Sequence, residues 1–217
     1  MMKRKPPLFI IPLVLWLACF FSPAHAEDSA PDADFELLQN RFGGVTITAY
    51  RGAEKNVVIP ETIGGVPVTV IGNKAFYRKD LESVTIPETV NAIEPLAFAE
   101  NRLDSVLLSG CVFIGYEAFA GNRLARVVLS EQLVSIGPRA FLNNSLFSVV
   151  IHGRVTNIGR DAFTGNPLDS ITLADNRNIF TSQGFELSLV NCYVGTGRKA
   201  GLYVKDGRIW TLREGAT

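Results

Sequence analysis

His152 is the side chain best suited to acid–base chemistry, and it stands apart from any partner. The only other histidine, His25, lies in an N-terminal leader. A catalytic triad or a histidine metal site cannot be assembled around one imidazole, because a general base still needs an orienting group and a cleft. The segment Gly195-Thr196-Gly197-Arg198-Lys199 has the residue types of a phosphate loop but not the Walker spacing or a strand-to-helix setting. It reads better as a basic turn. Glu82, Asp104 and Asp169 share one periodic position and would make a weak cation or basic-partner site. Ala125 and Phe147 interrupt that column, so solvated charge is the simpler account. The sequence thus implies no catalytic residue, no metal and no cofactor.

Composition bounds the rest. The 217 residues are 47% hydrophobic and 19% charged, with a formal net charge of zero. That composition suits a folded chain and gives no basic excess for nucleic acid. Residues 1–26 read as a secretory signal peptide: Lys3-Arg4-Lys5, an apolar run from Leu8 to Phe21, then Ala24-His25-Ala26. The run is too short to span a bilayer comfortably, so no transmembrane helix is expected in the mature chain. Cleavage there leaves 18 basic residues against 21 acidic. Leu17-Ala18-Cys19 also looks like a lipoprotein box. Trp16 stands where such boxes usually carry Leu, and the apolar run continues past the cysteine, which favours the first reading. Either route exports the protein to a periplasm, a cell surface or the medium.

A repeat organises everything after the leader. Ala-Phe occurs at 75–76, 97–98, 118–119, 140–141 and 162–163, and Gly184-Phe185 follows. The phenylalanines are spaced 22, 21, 22, 22 and 22 residues apart. Leu81, Leu103, Leu124, Leu146 and Leu168 form a second column. Val84, Val106, Val127, Val149 and Ile171 form a third, and Ile86, Leu108, Leu129, Ile151 and Leu173 a fourth. Val90, Val112, Leu133 and Val155, then Ile93, Ile114, Ile136 and Ile158, complete the pattern. The short step implies one residue missing between Val112 and Ile114.

Each unit is too small to bury its own apolar face, so units must stack. Leu-x-x-Val-x-Ile reads as a short strand, with copies side by side in a parallel sheet. The phenylalanines would form a spine on the opposite wall. Asn101, Asn122, Asn144 and Asn166 follow them as a ladder satisfying loop amides, Asn being tolerant of left-handed backbone. Cys111 and Cys192 fall several layers apart. At about 4.8 Å per layer that exceeds the ~4.4–6.8 Å Cα separation of a disulfide, so two buried free thiols are expected.

The segment "LESVTIPETVNAIEPLAF" (81–98) and its four relatives resemble the BspA-like, or treponemal-class, leucine-rich repeats of bacterial surface proteins. "VVIPETIGGVPVTVIGNKAF" (57–76) resembles that family's elongated first unit. The resemblance covers roughly residues 56–185. It implies a strand-rich α/β leucine-rich-repeat solenoid, with a parallel sheet on one face and short helical turns or loops on the other. It also implies adhesion, or binding of host and matrix proteins, and brings no catalytic residues. Glu94 departs from the Gly of the pattern, and Ser109, Ser130 and His152 depart from its Pro.

A solenoid exposes two raw sheet edges that need covers. Residues 27–34 read as a flexible leader. Residues 35–56 read as an N-terminal β cap, in which two strands flank Gly43-Gly44. Residues 57–185 form the solenoid with five full repeats. Residues 186–213 read as a C-terminal β-hairpin cap around Asp206-Gly207, and 214–217 as a disordered tail.

Function is expected where the strands face outward. In Leu-x-x-Val-x-Ile the named residues point inward and their neighbours outward. One outward column is Ser83, Ser105, Arg126, Ser148, Ser170. The other is Thr85, Leu107, Val128, Val150, Thr172, with three apolar members in register and Phe147 at its margin. Such a patch on an exported protein marks a contact surface. The partner would be a protein, host matrix or serum proteins included, or a hydrophobic ligand, and not a nucleic acid. The alternative is a self-assembling scaffold that buries the same stripe in a homo-oligomer.

Overall fold

The computed structural model of the protein describes residues 30–41, 43–174, 185 and 187–213. The signal peptide, Cys19, Gly184 and the tail from 214 lie outside the described residues. In chain order the strands are β1 (Phe35–Gln39), β2 (Val45–Tyr50), β3 (Asn56–Val58), β4 (Thr62–Ile63), β5 (Val66–Ile71), β6 (Ser83–Thr85), β7 (Ala92–Ile93), β8 (Ser105–Leu108), β9 (Phe113–Ile114), β10 (Arg126–Leu129), β11 (Ser135–Ile136), β12 (Ser148–Ile151), β13 (Asn157–Ile158) and β14 (Ser170–Leu173). Helix α1 (Leu187–Gly195) and strands β15 (Gly201–Asp206) and β16 (Ile209–Arg213) follow.

Each repeat is one turn of a three-walled solenoid. The first wall is the Leu-x-x-Val-x-Ile strands. They pair in parallel as β3–β6, β8–β10 and β12–β14. The copies lie side by side as expected, but their ladder is interrupted: β10 lies beside β12, and β6 beside β8, without one. The continuous ladder runs instead through a second wall, β2-β5-β7-β9-β11-β13, built on residue pairs that end in the Ile column. Glycines tighten the turns after most of these strands, with Glu94 in the same place after β7. Gly115 and Gly137 follow those strands, and a Cβ on either would lie 2.7 or 2.6 Å from the backbone of the preceding turn. Chains can approach that closely only without side chains. The face strands have no such glycines.

The third wall is the Ala-Phe turn, and it is not helical. Phe76, Phe98, Phe119 and Phe141 each donate their backbone N–H to the Ala carbonyl of the next repeat, at 2.8 Å in every case. Alternate amides close tight turns within the repeat, as from Tyr77 to Lys74. Alternation needs left-handed backbone before and after each Ala-Phe. Lys74, Leu96, Glu117, Arg139 and Asp161 precede Ala with φ between 51° and 61°. Arg78, Glu100, Gly121, Asn143 and Gly165 follow Phe with φ between 53° and 77°. The left-handed site is therefore one residue before the Asn ladder, not on it.

Inside, the rings of Phe76, Phe98, Phe119, Phe141, Phe163 and Phe185 stack with centroids 4.9–5.5 Å apart. That is about the natural strand spacing, so one ring per turn fills the column without strain. Tyr50 and Phe35 continue the spine into the first turns. The ladder works as expected. Asn144 accepts the Leu124 N–H at 3.0 Å and donates Nδ2–H to the carbonyls of Phe119 and Phe141 at 2.9 and 3.2 Å. Asn101, Asn122 and Asn166 repeat this pattern. Buried turn amides that would otherwise lose water without recompense are thereby satisfied.

The shortened repeat differs from its sequence reading. Cys111, 1% exposed, takes the place of Val90 and Leu133, while Val112 turns outward. The missing residue thus lies before Cys111. Gly110 absorbs it, because a Cβ there would strike the Glu88 backbone. Burial pushes the Cys111 thiol up to about 12. Cys111 and Cys192 are both free, but Cys192 is half-buried, not buried.

Both ends are closed by antiparallel strands. β1 pairs with β2, which joins β5 in parallel. Residues 32–34 of the expected flexible leader form one 3-10 turn. At the far end the expected hairpin is preceded by α1, which the sequence reading missed. Leu189, Val190 and Tyr193 are its buried face. Their spacing of one, three and four is helical, but the segment is short and runs straight into glycines.

Candidate functional site

The outward residues of the face strands form a row that crosses the molecule. β8 and β10 set Leu107 against Val128. β12 and β14 set Val150 against Thr172. β15 then pairs with β14, placing Leu202 beside Thr172, and β16 places Arg213 beside Leu202. On the other side Val58 lies against Thr85. The hairpin does not fold over the face. It extends the sheet by two strands, and Val204 and Ile209 widen the apolar area. Sequence reasoning missed these residues because it read the hairpin only as a cover for the sheet edge, not as part of the face. The alternation of Leu202 and Val204 about Tyr203 was the available signal.

The side chains vary in exposure. Val128 is 47% exposed, Val150 46% and Phe147 54%. Thr85 and Arg126 are exposed. Leu107 and Thr172 lie on the same outward side but are half-buried. For Thr172 the cause is Leu202 on the added strand. Arg126 forms no ion pair among the described residues.

A shallow cleft of about 420 Å³ borders Val128, lined also by Ser109, Leu129, Ser130, Glu131, Gln132 and His152. Its residue types suggest a hydrolase, but its geometry does not assemble one. No hydrogen bond joins His152 to either serine or to Glu131, and the Ser130 hydroxyl accepts the Gln132 N–H at 3.0 Å. Among the described residues no cluster could hold a metal ion. Glu82, Asp104 and Asp169 are exposed and separate. Gly195–Lys199 ends α1 instead of beginning it: Gly197 and Arg198 have φ of 74° and 61°, and their amides cap the last turn. A helix C-terminus repels phosphate and favours these cations.

A second exposed cluster lies on the wall of short strands. Val112, Phe113, Tyr116 and Val134 are 37–51% exposed. Misplacing the missing residue hid Val112 in a core column and concealed this group. No helix among the described residues is long and apolar enough to cross a membrane.

Against known proteins, the chain matches the BspA type leucine-rich repeat region in six copies over residues 69–190. No curated protein matches it. Among solved structures it resembles a leucine-rich repeat protein from Bacteroides ovatus, at 24% identity and TM-score 0.53, over 64% of this chain and 39% of that one. It also resembles the T. pallidum leucine-rich repeat protein, at 26% identity and TM-score 0.45, over 66% and 70%. A leucine-rich cell surface protein from Faecalibacterium prausnitzii matches at 23% identity and TM-score 0.44, over 86% and 62%. The chain spans about two fifths of the Bacteroides ovatus protein.

Proposed function

Because the chain belongs to the BspA-type leucine-rich repeat family, whose members are in general protein-interaction scaffolds, we propose that it is an exported, non-catalytic binding protein. It grips a protein partner through the outward row. Adhesion to host matrix or serum proteins is the reading that best joins the leader sequence to the sheet face. One observation carries it: Val128 and Val150 stand half-exposed on neighbouring strands, with Phe147 at their margin and Leu202 further along the row. Fully solvating such side chains forfeits roughly 25 cal/mol per Å² of apolar area that a partner could recover. The central strands carry one charge on that face, Arg126, and no acid.

The test is a binding array of matrix and serum proteins probed with labelled protein and with the variant Leu107→Asp/Val128→Lys/Val150→Asp. The reading expects a specific partner bound by the parent and lost by a folded triple variant. Undiminished binding by that variant removes the row. Light scattering checks the self-assembling alternative: a concentration-dependent dimer abolished by the same substitutions would make the row an interface between copies.

A further inference from the structure

The two ends of the molecule differ in charge. Residues 30–174 carry 15 acidic and 12 basic side chains. The cap at 187–213 carries five basic residues, Arg198, Lys199, Lys205, Arg208 and Arg213, against Asp206 alone. Over the whole span 175–217 the balance is six basic to four acidic, still opposite in sign to the solenoid. Arg208 and Arg213 are exposed and form no ion pair or side-chain hydrogen bond among the described residues. Between them Ile209 is 67% exposed, the most exposed large apolar side chain described. It stands at the tip of the β15–β16 hairpin. There Gly207, with φ of 60°, opens the turn, and a Cβ on it would meet nothing within 4 Å. Below the tip, the Lys205 ammonium lies 5.6 Å from the Trp210 ring centroid.

We propose that this cap docks the protein on an anionic lipid surface. The Arg208-Ile209 tip enters the headgroup layer, and Arg213 with the basic turn at 198–199 lies along it. Charge complementarity selects an anionic partner. The protruding Ile209 selects a bilayer over a soluble polyanion, because a dissolved acidic polymer has no apolar layer to receive it. Each Lys or Arg held near such a surface contributes roughly fivefold in binding, within a Debye length of about 10 Å at 0.1 M salt. The site shares Ile209 and Arg213 with the far end of the outward row, but the variant at 107, 128 and 150 leaves both intact, so the two readings can fail separately.

The experiment is co-sedimentation of the chain from residue 27, which contains every described residue, with vesicles of phosphatidylcholine containing 30% phosphatidylglycerol, and with phosphatidylcholine alone. The expected result is binding to the first only, weakened by 0.5 M salt. Arg208→Glu/Arg213→Glu should lose it by roughly 100-fold or more, and Ile209→Ser, which leaves the charge unchanged, should weaken it without weakening retention on heparin. Arg208→Gln/Arg213→Gln, a milder change, keeps the test available if the reversal misfolds. Absence of vesicle binding, or binding untouched by both charge variants, overturns the proposal. So does equal binding by Ile209→Ser, with heparin displacing the vesicles, which would assign the cap to a soluble polyanion.

Discussion

The Phe wall and the outward face of the strands are built from the same repeats but follow different rules. On the Phe wall the same residue does the same job turn after turn: a buried Ala and a stacked Phe in five copies, and an Asn bridging two turns in four of them. On the outward face the equivalent positions read Thr, Leu, Val, Val, Thr. Sameness marks what the stack needs, since each layer must match the next. Variation marks positions the stack leaves alone, and those are available to a partner.

The comparison breaks most visibly at the spine. Phe119→Ala removes a ring stacked on both sides at 5.3 and 5.5 Å, and is expected to cost about 3–5 kcal/mol. Urea unfolding would measure it, and a loss below ~1 kcal/mol would deny the stack its role. Asn144→Ala leaves the Leu124 amide without its acceptor and takes one of two donors from each of the Phe119 and Phe141 carbonyls, which keep Asn122 and Asn166. A loss of roughly 1–3 kcal/mol follows, the cost of one orphaned buried amide. Asn144→Asp should do no better, as it keeps an acceptor for the amide but aims an oxygen at the carbonyls. On the outward face, Val128→Thr or Val150→Thr should change stability by less than about 0.5 kcal/mol.

Smaller effects sharpen the picture. Burial raises the Cys111 thiol to about 12. Below its unfolded value near 9 both states are neutral, so the thiol has no effect on stability there. Above that pH the unfolded chain ionises first, and stability should fall as pH rises from 9 toward 12. Unfolding midpoints of parent and Cys111→Val across that window would show the difference, and parallel profiles would contradict it. Leu96→Gly relaxes a φ of 61° that costs a β-carbon residue about 1 kcal/mol. Its unfolding midpoint should rise slightly, offset in part by the entropy glycine adds to the unfolded chain.

Much of this was legible because repetition averages out local ambiguity. Five aligned copies fixed the Phe spine, the inward columns and the Asn ladder, which single segments of three or four residues could not have done. What repeated weakly was read poorly. Val112 sits beside Cys111, and either could fill the column by hydrophobicity; only the turn at Gly110 decides between them. The dipeptide strands carry too few residues to show alternation. α1 and the hairpin occur once, so no second copy exposed the helical face or the pairing that brings Leu202 next to Thr172. The candidate face was therefore read as ending at Thr172, when it runs on into the cap.

The account's central claim is that neighbours on one strand lie on opposite sides of the wall, one in the stack and one in water. Val127 is 8% exposed and Val128 47%; Val149 is 2% exposed and Val150 46%. Single cysteines at these four positions, in a background with Cys19, Cys111 and Cys192 replaced, can be timed against a maleimide in native buffer. The account predicts that Val128→Cys and Val150→Cys label at rates close to those of the unfolded chain, while Val127→Cys and Val149→Cys label at least a hundredfold more slowly. Equal rates within either pair would contradict it.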